Sequence, residues 1–147
     1  MKSGVLSRWL IILICLVVPA TMILCCAPAI KPQKISETEI LRRRVTEYWA
    51  LKVKRDFDKT YEFEVPSFRE KVGMVDYITK QGQAIRFTGA EVRDVDMDGD
   101  RARVKVFVRF DYHIPQINIK SSGDYVGEKW IKLNGEWYHI PFGFIYQ

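Results

Sequence analysis

From Leu41 onward the apolar residues recur at three- and four-residue spacing. Leu41, Val45, Tyr48 and Trp49, with Lys52 continuing the stripe, stand opposite a charged face of Arg42, Arg43, Glu47 and Lys54. That period places one side of a helix of about five turns against a core. Ser36 followed by Glu39 forms a capping box and predicts the helix start. Asp56 is placed to cap a second short helix carrying Phe57 and Tyr61, and Pro66 interrupts it before Ser67-Phe68-Arg69-Glu70 begins another turn. Val72, Val75, Tyr77 and Ile78 extend this third helix toward Gly82.

Beyond Gly82 the period becomes two. Ala102, Val104, Val106, Val108, Phe110 and Tyr112 alternate with Arg101, Arg103, Lys105, Phe107, Arg109 and Asp111, the signature of a long half-buried strand. Ala90 and Val92 share one phase while Val95 and Met97 share the other, which predicts a β-bulge near Arg93-Asp94. The turn at Asp98-Gly99-Asp100 joins these two strands. A second hairpin runs from Tyr125 to Leu133 and from Trp137 to Phe142, and Asn134-Gly135 between them supplies the positive φ values of a type I′ turn. Trp130 and Ile131, like Trp137 and Tyr138, are apolar on both phases, so the pattern leaves open which face of this hairpin is buried. Helices followed by antiparallel strands predict an α+β domain with its helices against one face of a curved sheet.

The first part of the chain has a different character. Trp9 to Ile30 is almost wholly apolar, behind Lys2 and Arg8. This is the layout of a secretory signal, and the positive-inside rule sets the domain on the extracytoplasmic side of a membrane. Two forms of the anchor stand. One is a signal resembling that of bacterial lipoproteins, with Ile23-Leu24-Cys25 before a lipidated Cys26, although Cys25 departs from the small residue usual there. The other is an uncleaved helix, since Trp9 to Ile30 would span about 33 Å. The organisation expected is residues 1–26 as signal or anchor, 27–35 as tether and 36–147 as the folded domain. Cys15, Cys25 and Cys26 are the only cysteines, so the domain has neither disulfides nor thiolate metal ligands. Beyond Ile30 stand 21 basic and 18 acidic residues, a net charge of about +3, too weak to imply nucleic acid.

The helix ending in Tyr48-Trp49, the segment Phe57 to Phe68, the hairpin Val92 to Val108 and the closing Trp130-Ile131-Lys132-Leu133-Asn134-Gly135-Glu136-Trp137-Tyr138 together resemble the nuclear transport factor 2-like superfamily, also called SnoaL-like or cystatin-like. The resemblance covers residues 36 to 142 and rests on patterns of fold. It implies a cone of helices on a curved sheet, and a homodimer through the outer sheet face. There Phe107, with Trp130 or Trp137, would be the apolar contact, rimmed by Arg103, Lys105 and Arg109. The superfamily's isomerases, dehydratases and hydrolases place a carboxylate or a Tyr/Asp set inside the cone, and no such residue carries over to this sequence.

Candidate chemistry is correspondingly sparse. Asp94, Asp96 and Asp98 with Gly99 copy half of a calcium loop, but Lys105 stands where a bidentate glutamate is needed, so a hairpin turn is the expectation. Asp111 and His113 share one side of a strand, opposite in phase to the apolar row. His139 has no metal-ligand spacing, and neither metal nor cofactor is expected. Tyr48, Trp49, Tyr61, Phe68, Phe110, Tyr112 and Tyr138 are the aromatic residues available to a hydrophobic ligand pocket, or else they form the core. The function expected is a membrane-tethered, non-catalytic binding or interaction domain of the cell envelope, whose partner is an envelope protein, a second copy or a hydrophobic ligand. Two alternatives remain: a small-molecule isomerase or hydrolase, marked by a carboxylate or the Asp111/His113 pair inside a solvent-reaching pocket, and an assembly component of type IV secretion.

Overall fold

The computed structural model describes residues 35–81, 85–114 and 117–146, with side chains described outside 113–121. The apolar stretch, Cys26 and the tether up to residue 34 lie outside the described residues, as does the side chain of His113. Among the described residues no helix is long and apolar enough to cross a membrane.

Among the described residues four helices precede four strands: α1 (Glu37–Lys54), α2 (Phe57–Phe63), α3 (Pro66–Arg69), α4 (Met74–Gln81), then β1 (Ile85–Asp98), β2 (Arg101–Ile114), β3 (Ile117–Leu133) and β4 (Glu136–Ile140). The strands form an open antiparallel sheet in the order β1-β2-β3-β4. The α+β class expected from the pattern is the class observed.

The capping box forms: Ser36 Oγ accepts from the Glu39 amide at 3.2 Å. Asp56 does not cap α2; its carboxylate instead meets Lys59 Nζ at 2.6 Å. The third helix does not run on to Gly82. It ends at Arg69, and α4 is a separate helix beginning beyond Gly73, which leaves Val75 and Ile78 exposed. The register of β1 on β2 shifts between Val92 and Asp94, at the expected bulge, and again between Phe87 and Gly89. Asp94, Asp96 and Asp98 stand opposite Lys105, Arg103 and Arg101, so each carboxylate of the half calcium loop faces a cation across the ladder. β3 begins eight residues earlier than the Tyr125 expected from the pattern and pairs with β2 from Ile117 to Ile131. Asn134 and Gly135 have φ of 51° and 89°, as the type I′ turn requires.

α1 lays Leu41, Val45, Tyr48 and Trp49 on Ala102, Val104, Val106 and Val108 of β2, with Trp130 and Trp137 closing the core from β3 and β4. A smaller cluster of Phe57, Tyr61 and Tyr77 joins α2 to α4. Lys34–Gln147 is a compact unit, and every residue of both clusters lies inside it, so this part folds on its own core.

Trp130 and Trp137 are therefore inward, not on the outer sheet face where the resemblance placed one of them beside Phe107. Phe107's companion is Tyr125, with ring centroids 5.2 Å apart. The Phe107 ring also covers Gly123, where an added Cβ would stand 2.6 Å from Cζ. Gly123→Ala is expected to cost about 1–2 kcal/mol in urea unfolding, because the ring must leave its rotamer. Gly127→Ala, with open space around it, is the control and should lie within about 0.5 kcal/mol of wild type.

Candidate functional site

The chain leaves α2 through Glu64 and Val65, both in extended conformation, because Pro66 opens α3 and excludes the helical region for the residue before it. This extended pair lies alongside β4: Glu64 bridges His139 in parallel, and the Val65 amide donates to the His139 carbonyl at 2.9 Å. Two residues 75 positions apart thereby share one buried site.

Glu64, 1% exposed, is the centre of that site. Its Oε1 accepts from the hydroxyls of Tyr48 at 3.0 Å and Tyr77 at 2.9 Å. Its Oε2 lies 2.7 Å from His139 Nδ1. A carboxylate offers no proton, so this network assigns the proton of neutral His139 to Nδ1 and leaves Nε2 as an acceptor. Among the described residues Nε2 makes no hydrogen bond. It faces Oε1 of the buried Glu128 across 3.9 Å, too far for a direct bond. Glu128 is fixed in turn by the Trp130 indole, whose Nε1 donates to Oε2 at 3.1 Å.

Lys52 completes the polar group from α1. Its ammonium stands 3.4 Å from the Tyr48 hydroxyl and lies over the rings of Tyr48, Trp49 and Phe87, with centroids 5.0, 4.8 and 5.5 Å away. Burial lowers its pKa below the ordinary lysine value, against the pull of Glu128 and Glu64. The Tyr48 phenol is pushed well above the ordinary range, first by burial and then by the nearby carboxylates, chiefly Glu64. Tyr77 is raised by the same two causes.

These shifts carry a sign for stability. Above about pH 10 a tyrosine in the unfolded chain releases its proton, while Tyr48 and Tyr77 keep theirs in the folded state. The folded state then holds more protons, and rising pH favours unfolding by about 1.4 kcal/mol per pH unit for each such phenol. Urea unfolding between pH 9 and 11.5 should show this decline, and Tyr77→Phe should remove one phenol's share of the slope.

Above this floor opens a cavity of about 730 Å³. Tyr48, Trp49, Lys52, Glu64, Glu128 and His139 line its depth; Phe87, Val126 and Ile140 form its walls, and Pro141 to Ile145 its rim. Of the seven aromatic candidates, Tyr48 and Trp49 line the cavity. Tyr61 does not, being buried in the smaller cluster with its hydroxyl on the Arg69 and Val72 carbonyls. Phe68 packs on Tyr77 and Phe144 instead. Phe110 lies against the main core with Tyr112 edge-on to it, and Tyr138 sends its hydroxyl to Glu136 at the surface. Asp111 is not among the lining residues either.

The larger correction concerns polarity. In place of a filled or apolar interior, the cavity is lined by two carboxylates, an imidazole and two lysines, Lys52 at its depth and the exposed Lys129. One signal for them is present in the sequence: Glu128 shares its strand phase with Val126 and Trp130, and His139 shares one with Trp137, so fixing either tryptophan inward also carries a polar residue inward. Glu64 has no comparable signal.

The chain is thus an α+β domain whose helices and open sheet enclose a polar-floored, apolar-walled cavity. No family model and no curated protein matches it. Among solved structures it is similar to a SEC-C motif-containing protein from Rhodopseudomonas palustris, with 21% identity over 72% of this chain and 76% of that one, at a TM-score of 0.53. That likeness is one of fold. It also matches Aln2 from a Streptomyces species, with 15% identity over 72% of this chain and 89% of that one, at a TM-score of 0.40.

Proposed function

We propose that this chain is a membrane-tethered, extracytoplasmic domain of the nuclear transport factor 2-like kind that binds a small molecule in the cavity and exchanges a proton with it. The observation that carries the reading is the pairing of Glu64 Oε2 with His139 Nδ1 at 2.7 Å, which leaves Nε2 directed at the cavity opposite Glu128. A proton from a C–H or O–H of the bound molecule passes to Nε2, and its electron pair stays on the ligand. The imidazolium so formed is stabilised through Nδ1–H by the Glu64 carboxylate. Return of the proton to a different atom of the ligand completes an isomerisation. What favours this reading over a non-catalytic binding domain is a carboxylate inside a solvent-reaching pocket, the feature that separates the two.

The test is native mass spectrometry of residues 34–147 purified from a bacterial periplasm, beside Val126→Trp, which fills the cavity from its wall. Wild type is expected to carry a mass excess lost on denaturation, and the tryptophan variant to carry none. The released molecule should then carry carbon-bound deuterium after incubation in D2O with wild type and not with His139→Ala. A ligand that exchanges equally with both proteins leaves a binding domain and removes the proton transfer; a clean apoprotein in every case removes the ligand site. The tether is checked separately, by the N-terminal mass of protein extracted from membranes: an acylated Cys26 supports the lipoprotein form, and an intact Met1 the uncleaved anchor.

A further inference from the structure

The rim of the cavity exposes more apolar surface than a closed binding site needs. Phe142 is fully exposed and Ile145 nearly so, on either side of Phe144. Phe144 itself is pinned, edge-on to Phe68 at 5.4 Å and under the Lys71 ammonium at 5.4 Å. The segment is therefore held in place with its two apolar neighbours turned to solvent. Across the mouth, Gln81 at the end of α4 also lines the cavity. Met74 and Ile78 stand on the same helical stripe as Gln81, seven and three residues before it, and both are exposed. Phe142 and Ile145 at the opening, with Ile78 and Met74 farther back along the α4 stripe that ends there at Gln81, mark a surface that something covers. A compact molecule sitting on the floor would leave them bare, whereas a chain leaving the cavity would lie along them.

The floor specifies the other end of such a molecule. Glu128 Oε1 and His139 Nε2 are both acceptors and stand 3.9 Å apart. One atom reaches both at about 2.8–2.9 Å: an amine donates to both, and a hydroxyl donates its single proton to one of them. A carboxylate head on the floor would instead meet Glu64 and Glu128 with the Lys52 ammonium beside them, the other lysine of the lining, Lys129, being an exposed residue.

We infer that the ligand of this cavity is a single-chain amphiphile, with a hydroxyl or amine head on Glu128 and His139 and a hydrocarbon chain running out over Phe142, Ile145, Met74 and Ile78. The inference rests on the reading of the cavity as a ligand site, and the experiment separates the two. Residues 34–147 are titrated with 1-octanol, octylamine, octanoate, 1-butanol and butylamine, and the His139 Cε1–H resonance is followed by NMR, assigned with His139→Gln. Octanol and octylamine are expected to move it with at least about tenfold higher affinity than their butyl counterparts, since each buried methylene adds several-fold. Phe142→Ser and Ile145→Ser, both at exposed positions that leave the core intact, should together erase that gain without changing the butyl affinities. Equal affinity of octyl and butyl probes overturns the amphiphile while the site stands. Tighter binding of octanoate than of octanol and octylamine overturns the assigned head. No shift with any probe overturns both the amphiphile and the small-molecule site.

Discussion

Glu64→Ala is expected to lower the unfolding free energy by about 3–5 kcal/mol, a large part of what a domain of this size possesses. The carboxylate is the common acceptor of Tyr48 and Tyr77 and the partner of His139 Nδ1. Its removal strands these donors where water is scarce, and an unmade buried hydrogen bond costs more than a made one contributes. Glu64→Gln separates this structural role from orientation of the imidazole. The amide oxygen still accepts from the two phenols, but the amide nitrogen is a donor facing Nδ1. His139 must then move its proton to Nε2, with a stability loss of about 1–2 kcal/mol. Long-range 1H–15N spectra of the imidazole read the tautomer directly: protonated Nδ1 in wild type, protonated Nε2 in the variant. The same tautomer in both proteins would mean that Glu64 holds the fold without setting the base. Proton transfer from a ligand to Nε2 should disappear in Glu64→Gln, since that nitrogen already carries a proton.

Local chemistry carried most of the architecture. Ser36 and Glu39 set the start of α1, and the positive φ at Asn134-Gly135 follows from residues that accept it. Alternation from Ala102 to Val108 names the buried row of β2, and the change of phase between Val92 and Val95 locates a bulge. The stretch Ile117 to Gly123 did not read as strand, because Asn118, Lys120, Ser121 and Ser122 have little β preference. Its pairing with the far half of β2 overrides that preference. The break before α4 is hidden in the same way by Val72 and Val75, which fit a continuous helix although α3 ends at Arg69 and α4 begins only at Met74, beyond Gly73. Tyr61 and Phe68 were legible as apolar but not as belonging to a separate cluster with Tyr77, since that depends on how α2 and α4 meet.

The floor of the cavity was the least legible part. Glu64 and His139 meet through a single bridge between the end of α2 and β4, which leaves no periodicity in either segment. A glutamate after Phe63 and before Val65-Pro66 reads as a solvated linker residue. It is buried because the pre-proline backbone lays it against β4, and Tyr48, Tyr77 and His139 supply the bonds that make its burial tolerable. Lys52 reads as a member of the α1 core stripe, and that placement is what brings its ammonium over the rings of Tyr48, Trp49 and Phe87.

Trp130→Ala should cost about 3–5 kcal/mol. The indole is wholly buried, stands edge-on to Tyr48 at 5.6 Å and lies 5.4 Å from the His139 ring. Truncation removes packing from the centre of the main core. It also removes the donor that holds Glu128, whose Oε2 lies 3.1 Å from Nε1. Trp130→Phe divides the two effects, because the smaller ring keeps much of the packing and loses the N–H. A loss of about 1.5–3 kcal/mol is expected for it, the range for a hydrogen bond to a charged group. In a double-mutant cycle with Glu128→Gln, coupling of about 1 kcal/mol or more between the two positions is the result expected if this bond fixes the carboxylate. Additive losses would place the cost of Trp130→Phe in packing, and Glu128 would then need another restraint to hold its place opposite His139 Nε2. The cycle therefore tests the floor from the β3 side, independently of Glu64: two strands and one extended linker fix three groups, and each can be released by a different substitution.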